Sequence, residues 1–429
     1  MRLWLPYGRT ELPIDVPDEN LAGVLEKEPL PGLTDPREAI IAAMEKPLDS
    51  PPLRELVQPD HRVVIVVDDH TRPAPTRTML PPVLEFLEEH GVRRDAVTIL
   101  FACGSHRAVK PEEAAQLLGP EVASKYRWVS HDARDYANLV YVGKTSRGNE
   151  VYLNRLYVEA DCRIVLGDVE YHYYAGYGGG RKSVLPGVSG IQTIEFNHAM
   201  LIHPNARIGV LDGNPIHEDM TEAASLCPPH FTINVVQNPR EEIVAVFGGH
   251  FDRVLREGAK VVDRMYRVEV EEPADVVVVA ANGHPHDVDL YQAYKALHVA
   301  AMVCREGGVL ILVAECGEGY GSEKFLRYMT QYRSAKECGE ALQRKFELGG
   351  HKAYYLLQVL EHYTVYLVSA MPRRLAEEMF RLRVADSPND ALQAAFRQVG
   401  RKARVLVIPR GSTTLPVVKT RCGERGSRG

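Results

Sequence analysis

The chain has 429 residues, 45% hydrophobic and 25% charged, an ordinary globular composition long enough for two or three domains. A formal net charge of −6, with both signs mixed, argues against nucleic acid as a partner, because neutralising phosphates needs a basic face. No apolar run approaches membrane-spanning length, and the opening MRLWLPYGRTELPIDVPDEN lacks the apolar core of a secretory leader, so a cytoplasmic protein without a membrane partner is expected.

Short β-branched runs recur along the chain: VVIVV (63–67), VTILFA (97–102), RIVLG (163–167), TINVV (232–236), VVVVAA (276–281), VLILV (309–313) and RVLVI (404–408). They are apolar on both alternations, as parallel strands covered by helices on two faces should be. Between them lie amphipathic stretches such as TMLPPVLEFLEEHGV, ending in a helix-stop glycine. The pattern predicts an α/β protein with mainly parallel sheets. A boundary is expected near 254–274, and 386–400 offers a second connection. The expected domains are therefore 1–265, with 400–429 returning to it, and 270–390. The tail RCGERGSRG is expected to lack regular structure. Seven cysteines (Cys103, Cys162, Cys227, Cys304, Cys316, Cys338 and Cys422) are odd in number, scattered and never spaced C-x-x-C. They read as small buried hydrophobes in a reducing compartment.

The polar clusters follow these strands. VVIVV runs into Asp68-Asp69-His70-Thr71-Arg72, VTILFAC into Gly104-Ser-His106, and RIVLG into Asp168-Val-Glu-Tyr-His172. VVVVAA runs into a segment holding Tyr291, Gln292 and Lys295. Open α/β sheets bind ligands outside the carboxyl ends of their strands, so four such clusters predict one composite site.

Gly178-Gly179-Gly180-Arg181-Lys182-Ser183 has the composition of a phosphate loop but breaks its register, since Arg181 separates the last glycine from the lysine. Nucleoside triphosphate hydrolysis is disfavoured. A phosphate-bearing cofactor held by bare amides beside a reactive lysine is the better reading. His106 and His172, each just past a strand end, are candidates for acid–base work. His198 and His203 lie five residues apart, poor spacing for two ligands on one helical face, so residues alone do not show a metal. Arg72 is suited to pairing with a carboxylate or phosphate, and Gln292 and Lys295 can share a helical face.

Taken together, DDHTRP, GSHR, DVEYHYYAGYGGGRKSVLPGV, NHAMLIHPNARIG, LDGNPIHEDM and DLYQAYKALH resemble the lactate racemase family that uses a nickel-pincer nucleotide. The resemblance covers nearly the whole chain. It implies two Rossmann-like α/β domains joined by hinge helices, with the active site in the cleft between them. It also implies that Lys182 holds the cofactor, a Ni(II) pyridinium-3,5-bisthiocarboxylic acid mononucleotide, through a covalent thioamide. His198 would be the one protein ligand to nickel, the pincer supplying the other donors. Asp69, His70, Thr71, Arg72, Gly178, Gly179, Gly180 and Ser183 would hold the nucleotide, and Arg72, Tyr291, Gln292 and Lys295 the substrate carboxylate. His106 and His172 would exchange the hydroxyl proton while hydride moves between C2 and the cofactor through a 2-oxo acid. Partners implied are a small 2-hydroxy acid and cofactor-synthesis proteins for loading; protein made without them would be the apo form.

One departure stands out. Lactate-specific relatives place a tryptophan from the second domain near the substrate, whereas the tryptophans here are Trp4 and Trp128, and the corresponding neighbourhood reads Gly350-His-Lys-Ala-Tyr-Tyr355. The substrate expected is thus lactate or a larger 2-hydroxy acid. A dissociable nicotinamide cofactor serving an oxidoreductase, and a low-turnover cofactor carrier, are the competing readings. Lys182 weighs against the first, and the histidine pair with the carboxylate-binding set against the second.

Overall fold

A computed structural model describes residues 1–72 and 74–419. The tail RCGERGSRG, with Cys422, lies outside them. The chain forms two compact units, 29–265 and a second made of 1–28 with 266–429.

Unit 29–265 is built on a six-stranded sheet in the order Ile243–Gly249, Phe231–Gln237, Cys162–Asp168, Val63–Val67, Val97–Phe101, Arg127–Ser130. All neighbours are parallel except the first pair. Val63–Val67 and Val97–Phe101 are buried at every position, which is why their sequences show no polar alternation. Each such buried aliphatic side chain contributes roughly 1.5–3 kcal/mol of transfer free energy. Helix Thr76–Glu89 turns Met79, Leu80, Val83, Leu84 and Leu87 into this core, and Gly91, at φ 82°, follows its end. From Val63–Val67 the chain builds outward to Val97–Phe101 and Arg127–Ser130. It then crosses back to place Cys162–Asp168 on the other side. The strand order therefore reverses between Val63–Val67 and Cys162–Asp168, where an α/β sheet opens a crevice at its carboxyl edge.

The second unit has an all-parallel sheet in the order Arg383–Val384, Thr364–Val368, Cys304–Val313, Ala274–Ala280, Val405–Ile408, Leu21–Val24. Its order reverses between Ala274–Ala280 and Val405–Ile408. The domain boundaries read from the sequence are corrected here. Strand Val405–Ile408 pairs with Ala274–Ala280 and Leu21–Val24 rather than returning to the first unit, and residues 1–28 belong to the second unit. A local run of valines announces a strand but not its partner, because pairing is a long-range choice. Helix Pro388–Val399 is no connection between units, since Ala391, Leu392, Ala395 and Phe396 lie in the second core. Helix Phe251–Tyr266 ends where the chain passes from one unit to the other. Among the described residues the cysteines are all free and no helix is long and apolar enough to cross a membrane.

Candidate active site

Past Val63–Val67 the backbone closes a turn on Asp69. Its Oδ1 accepts from Thr71 N at 3.0 Å and Thr71 Oγ1 at 2.6 Å, and its Oδ2 lies 2.8 Å from His106 Nδ1. Burial raises the Asp69 pKa, but the hydrogen bonds from His106 and Thr71 outweigh it and hold the carboxyl below its usual range. Asp69 is therefore ionised, and the proton shared with it sits on His106 Nδ1. In the neutral ring this tautomer presents Nε2 as a lone pair, the arrangement of a general base oriented by a carboxylate. The sequence reading gave Asp69 to the cofactor; its observed partners are His106 and Thr71.

His172 is in the opposite state. It lies on the two-residue ladder Tyr171–His172 against Gly176–Tyr177, which follows Cys162–Asp168. Its Nδ1 accepts from Ala175 N at 3.2 Å, so the ring proton sits on Nε2. The ring stacks on Tyr173 (5.1 Å) and meets the edge of Tyr174 (4.4 Å). Burial, then the charges of Lys182 and Arg72, push its pKa well below the usual value, so the imidazole is neutral.

Arg72 pairs with Glu170 at 3.1 Å. Burial disfavours its charge, but Glu170, Asp68 and Asp168 more than compensate. Burial raises Asp68 to about 6 and Asp168 well above the carboxylate range. Arg72 reaches a substrate or nucleotide only by sharing or leaving Glu170.

The glycine run departs from its expected role. Gly178 N donates to Glu170 O at 2.8 Å and Gly180 N to Asn234 Oδ1 at 2.7 Å, so those two amides are already engaged. A Cβ on Gly179 (φ 78°) would stand 2.7 Å from Asp168 O, and one on Gly180 (φ 53°) 2.6 Å from Phe251 O. Gly179 and Gly180 thus allow backbone to pack on backbone, and the Gly178 and Gly180 amides are taken by protein acceptors. Arg181, unrecognised in the sequence except as a spacer, is completely buried beneath the loop.

Lys182 sits on the turn Gly180–Ser183 with 9% of its surface exposed, and among the described residues no group hydrogen-bonds its ammonium. Burial, then Arg72 and Arg181, push its pKa well below the normal lysine value, which favours the nucleophilic free amine. His198 ends helix Ile191–His198 and faces the edge of the Tyr174 ring at 5.2 Å. Burial, then Lys182, bring its pKa to about 3, leaving neutral imidazole suited to a metal. His106 also acts on His198 electrostatically, and His198 on His172, so these groups form one cluster. Helix Pro215–Leu226 braces it. Asp219 accepts from Thr145, Asn149 and Asn197, the neighbour of His198, while Asn214 caps the helix and donates to Tyr174 O.

In the second unit Asp289 caps helix Leu290–Ala301 by accepting from Gln292 N at 2.7 Å. Tyr291 and Gln292 are half-buried and Lys295 is exposed. The segment 350–355 opens helix Gly350–His362. Lys352 there is 2% exposed, its Nζ 5.1 Å from the Tyr291 ring centre and 5.3 Å from that of Tyr294.

Residues 7–209 match the model of the lactate racemase N-terminal domain and residues 269–415 that of the lactate racemase C-terminal domain. The chain belongs to the lactate racemase family. Members of this family are isomerases. The protein is 32% identical to a lactate racemase of Thermoanaerobacterium thermosaccharolyticum over 96% of this chain and 98% of that one. It is 31% identical to a lactate racemase of Lactiplantibacillus plantarum over 95% and 97%. The solved T. thermosaccharolyticum lactate racemase apoprotein superposes with a TM-score of 0.90 at 31% identity, covering 97% of this chain and all of that one. A Thermotoga maritima protein at 20% identity and TM-score 0.65 shares the fold.

The site fits the cofactor that the family resemblance implies. Among the described residues no three His, Cys, Asp or Glu side chains are grouped to hold a metal ion, so His198 suits only a metal that arrives with its own donors. Lys182 is a buried amine beside it. Among the described residues nothing hydrogen-bonds the buried His70 Nδ1, an acceptor or donor that a ligand would satisfy.

Proposed function

We propose that this protein is a racemase or epimerase of lactate or a larger 2-hydroxy acid, using a nickel-pincer nucleotide held covalently by Lys182 and through nickel by His198. The observation that carries the reading is the opposite presentation of two histidines. An exposed His106 has its Nδ1 held by Asp69, so that the neutral ring offers Nε2 as a lone pair. A buried His172 accepts from Ala175 N through Nδ1, so that its Nε2 carries the proton. When bound, such a cofactor supplies a hydride acceptor and donor for substrate C2. His106 Nε2 takes the hydroxyl proton, and the ionised Asp69 stabilises the imidazolium that results. His172 returns a proton to oxygen on the opposite face. His172 is neutral in the unloaded site and must take up a proton to donate one. A bound anion offsets the Arg72 charge, and the tether removes that of Lys182, so loading and substrate raise the proton affinity of His172 and let it carry that proton. Tyr291, Gln292 and Lys295 are assigned to the substrate carboxylate on the family resemblance, and Thr71 and Ser183 to the nucleotide. The two named lactate racemases support lactate as a substrate, and the missing second-domain tryptophan supports a larger one.

The test is intact-mass and metal analysis of protein produced with cofactor-synthesis proteins. One adduct on the Lys182 peptide with stoichiometric nickel is expected. Unmodified Lys182 with bound nicotinamide nucleotide would overturn the reading in favour of an oxidoreductase.

A further inference from the structure

The run Gly178-Gly179-Gly180-Arg181-Lys182 has the composition of a phosphate loop and the reverse polarity. In a phosphate loop, amide N–H groups converge on an anion. Here carbonyl oxygens converge on a cation. Arg181 Nη2 donates to Ala175 O at 2.8 Å, and Nη1 donates to Tyr177 O at 2.9 Å, Gly179 O at 3.1 Å and Gly178 O at 3.4 Å. None of its described hydrogen bonds goes to a carboxylate. A fully buried guanidinium is costly unless its donors are satisfied, and these four carbonyls do that for both terminal nitrogens.

Two of those carbonyls belong to residues whose backbone the active-site groups also use. Ala175 donates its N–H to His172 Nδ1, the bond that leaves the ring proton on Nε2, while its carbonyl is held by Arg181. Gly179 accepts the Lys182 amide N–H at 3.1 Å through the same oxygen that Arg181 grips. One side chain is thus a single residue removed from the proton carrier and from the tether at once.

We propose that Arg181 is a positioning residue: it folds the loop around itself, and through Ala175 and Gly179 it sets the ring state of His172 and the place of the Lys182 amine. It touches neither substrate nor cofactor. The glycines let the same loop seat itself, since a Cβ on Gly179 or Gly180 would run into Asp168 O or Phe251 O. The inference rests on the roles given above to His172 and Lys182.

Arg181→Lys and Arg181→Met, in the full chain, test it with three readouts: hydrogen exchange of the unloaded protein, the fraction of Lys182 adduct after co-production with cofactor-synthesis proteins, and steady-state kinetics per loaded chain. In Arg181→Met, exchange over 170–185 rises about tenfold while the sheet strands stay protected. Its adduct fraction falls several-fold, and kcat per loaded chain drops about 100-fold with KM nearly unchanged. Arg181→Lys keeps the charge without the fork, so it recovers part of each loss. If Arg181→Met does not fold, the Lys variant carries the comparison, with loss in kcat but not KM as the deciding result. Wild-type exchange, adduct and kcat in either variant would overturn the proposal, and so would protection lost evenly over the whole unit. If wild-type protein itself carries no adduct, the cofactor reading fails, while the exchange arm still decides whether Arg181 holds the loop.

Discussion

Both units reverse their strand order beside a central buried strand, Val63–Val67 in one and Ala274–Ala280 in the other, and both carry a polar cluster after it. They differ in what those clusters bury. Unit 29–265 encloses Asp69, Asp168, His172, Arg181, Lys182, His198, His217 and Asp219. The second unit buries Asp287 in backbone amides of Gly8 and Glu315, and Lys352 over two tyrosine rings, while Lys295 stays exposed. Burying so many ionisable groups costs stability, and their mutual perturbation is what tuned chemistry requires. On the proposed function, the same architecture hosts reaction machinery in one unit and orienting groups in the other.

The comparison breaks most visibly at the two buried lysines. Lys182→Ala abolishes the cofactor adduct and reduces racemisation to background, whereas Lys352→Met leaves adduct formation at Lys182 intact; intact mass reads both. An adduct lost only on changing Lys352 would reverse the division of labour. Next come the proton carriers: His106→Ala and His172→Ala each lower kcat about 10²–10⁴-fold, measured per loaded chain. Full activity in both variants would remove the acid–base roles. Asp69→Asn keeps the shape but not the charge, and costs about 10- to 100-fold in kcat, the range typical of groups that orient an active histidine. An effect on cofactor loading alone would return Asp69 to the nucleotide.

The smallest effect is on acid stability. Burial lowers His198 to about 3, His217 to about 2 and His230 to about 4, all in unit 29–265, against His298 at about 4 in the second unit. Histidine in the unfolded chain titrates near about 6.5. Between that value and each folded value the unfolded state binds more protons, so stability falls as pH drops below about 6.5 and is fully retained above it. Hydrogen exchange at about pH 7 and pH 5 should show unit 29–265 losing more protection than the second unit. Equal losses would mean that the buried histidines do not set the difference.

The strand runs were legible because burial on both faces leaves an unbroken apolar signal, and the clusters after them marked the strand ends. Leu21–Val24 and Arg383–Val384 were not legible: they are short edge strands with exposed positions and little apolar signal. The sheet to which Val405–Ile408 belongs was not legible either, since nothing local specifies a partner far away in the chain. At the site, the lysine and histidines stood out by type and place. The burial of Arg181 and the close backbone packing of the glycines did not, because an arginine after glycines reads as solvated until its burial is seen. Asp69 was noticed as a cofactor residue, but its bonds to Thr71 and His106 were not legible, because those groups converge on it only in three dimensions.

The most direct measurement is a chiral assay of the loaded protein with a single enantiomer of lactate and of longer 2-hydroxy acids, without added nicotinamide nucleotide. The account predicts approach to a racemic mixture from either enantiomer, with no accumulating 2-oxo acid. Enantiomers left unchanged, or consumption that requires added nucleotide and leaves 2-oxo acid behind, would contradict it.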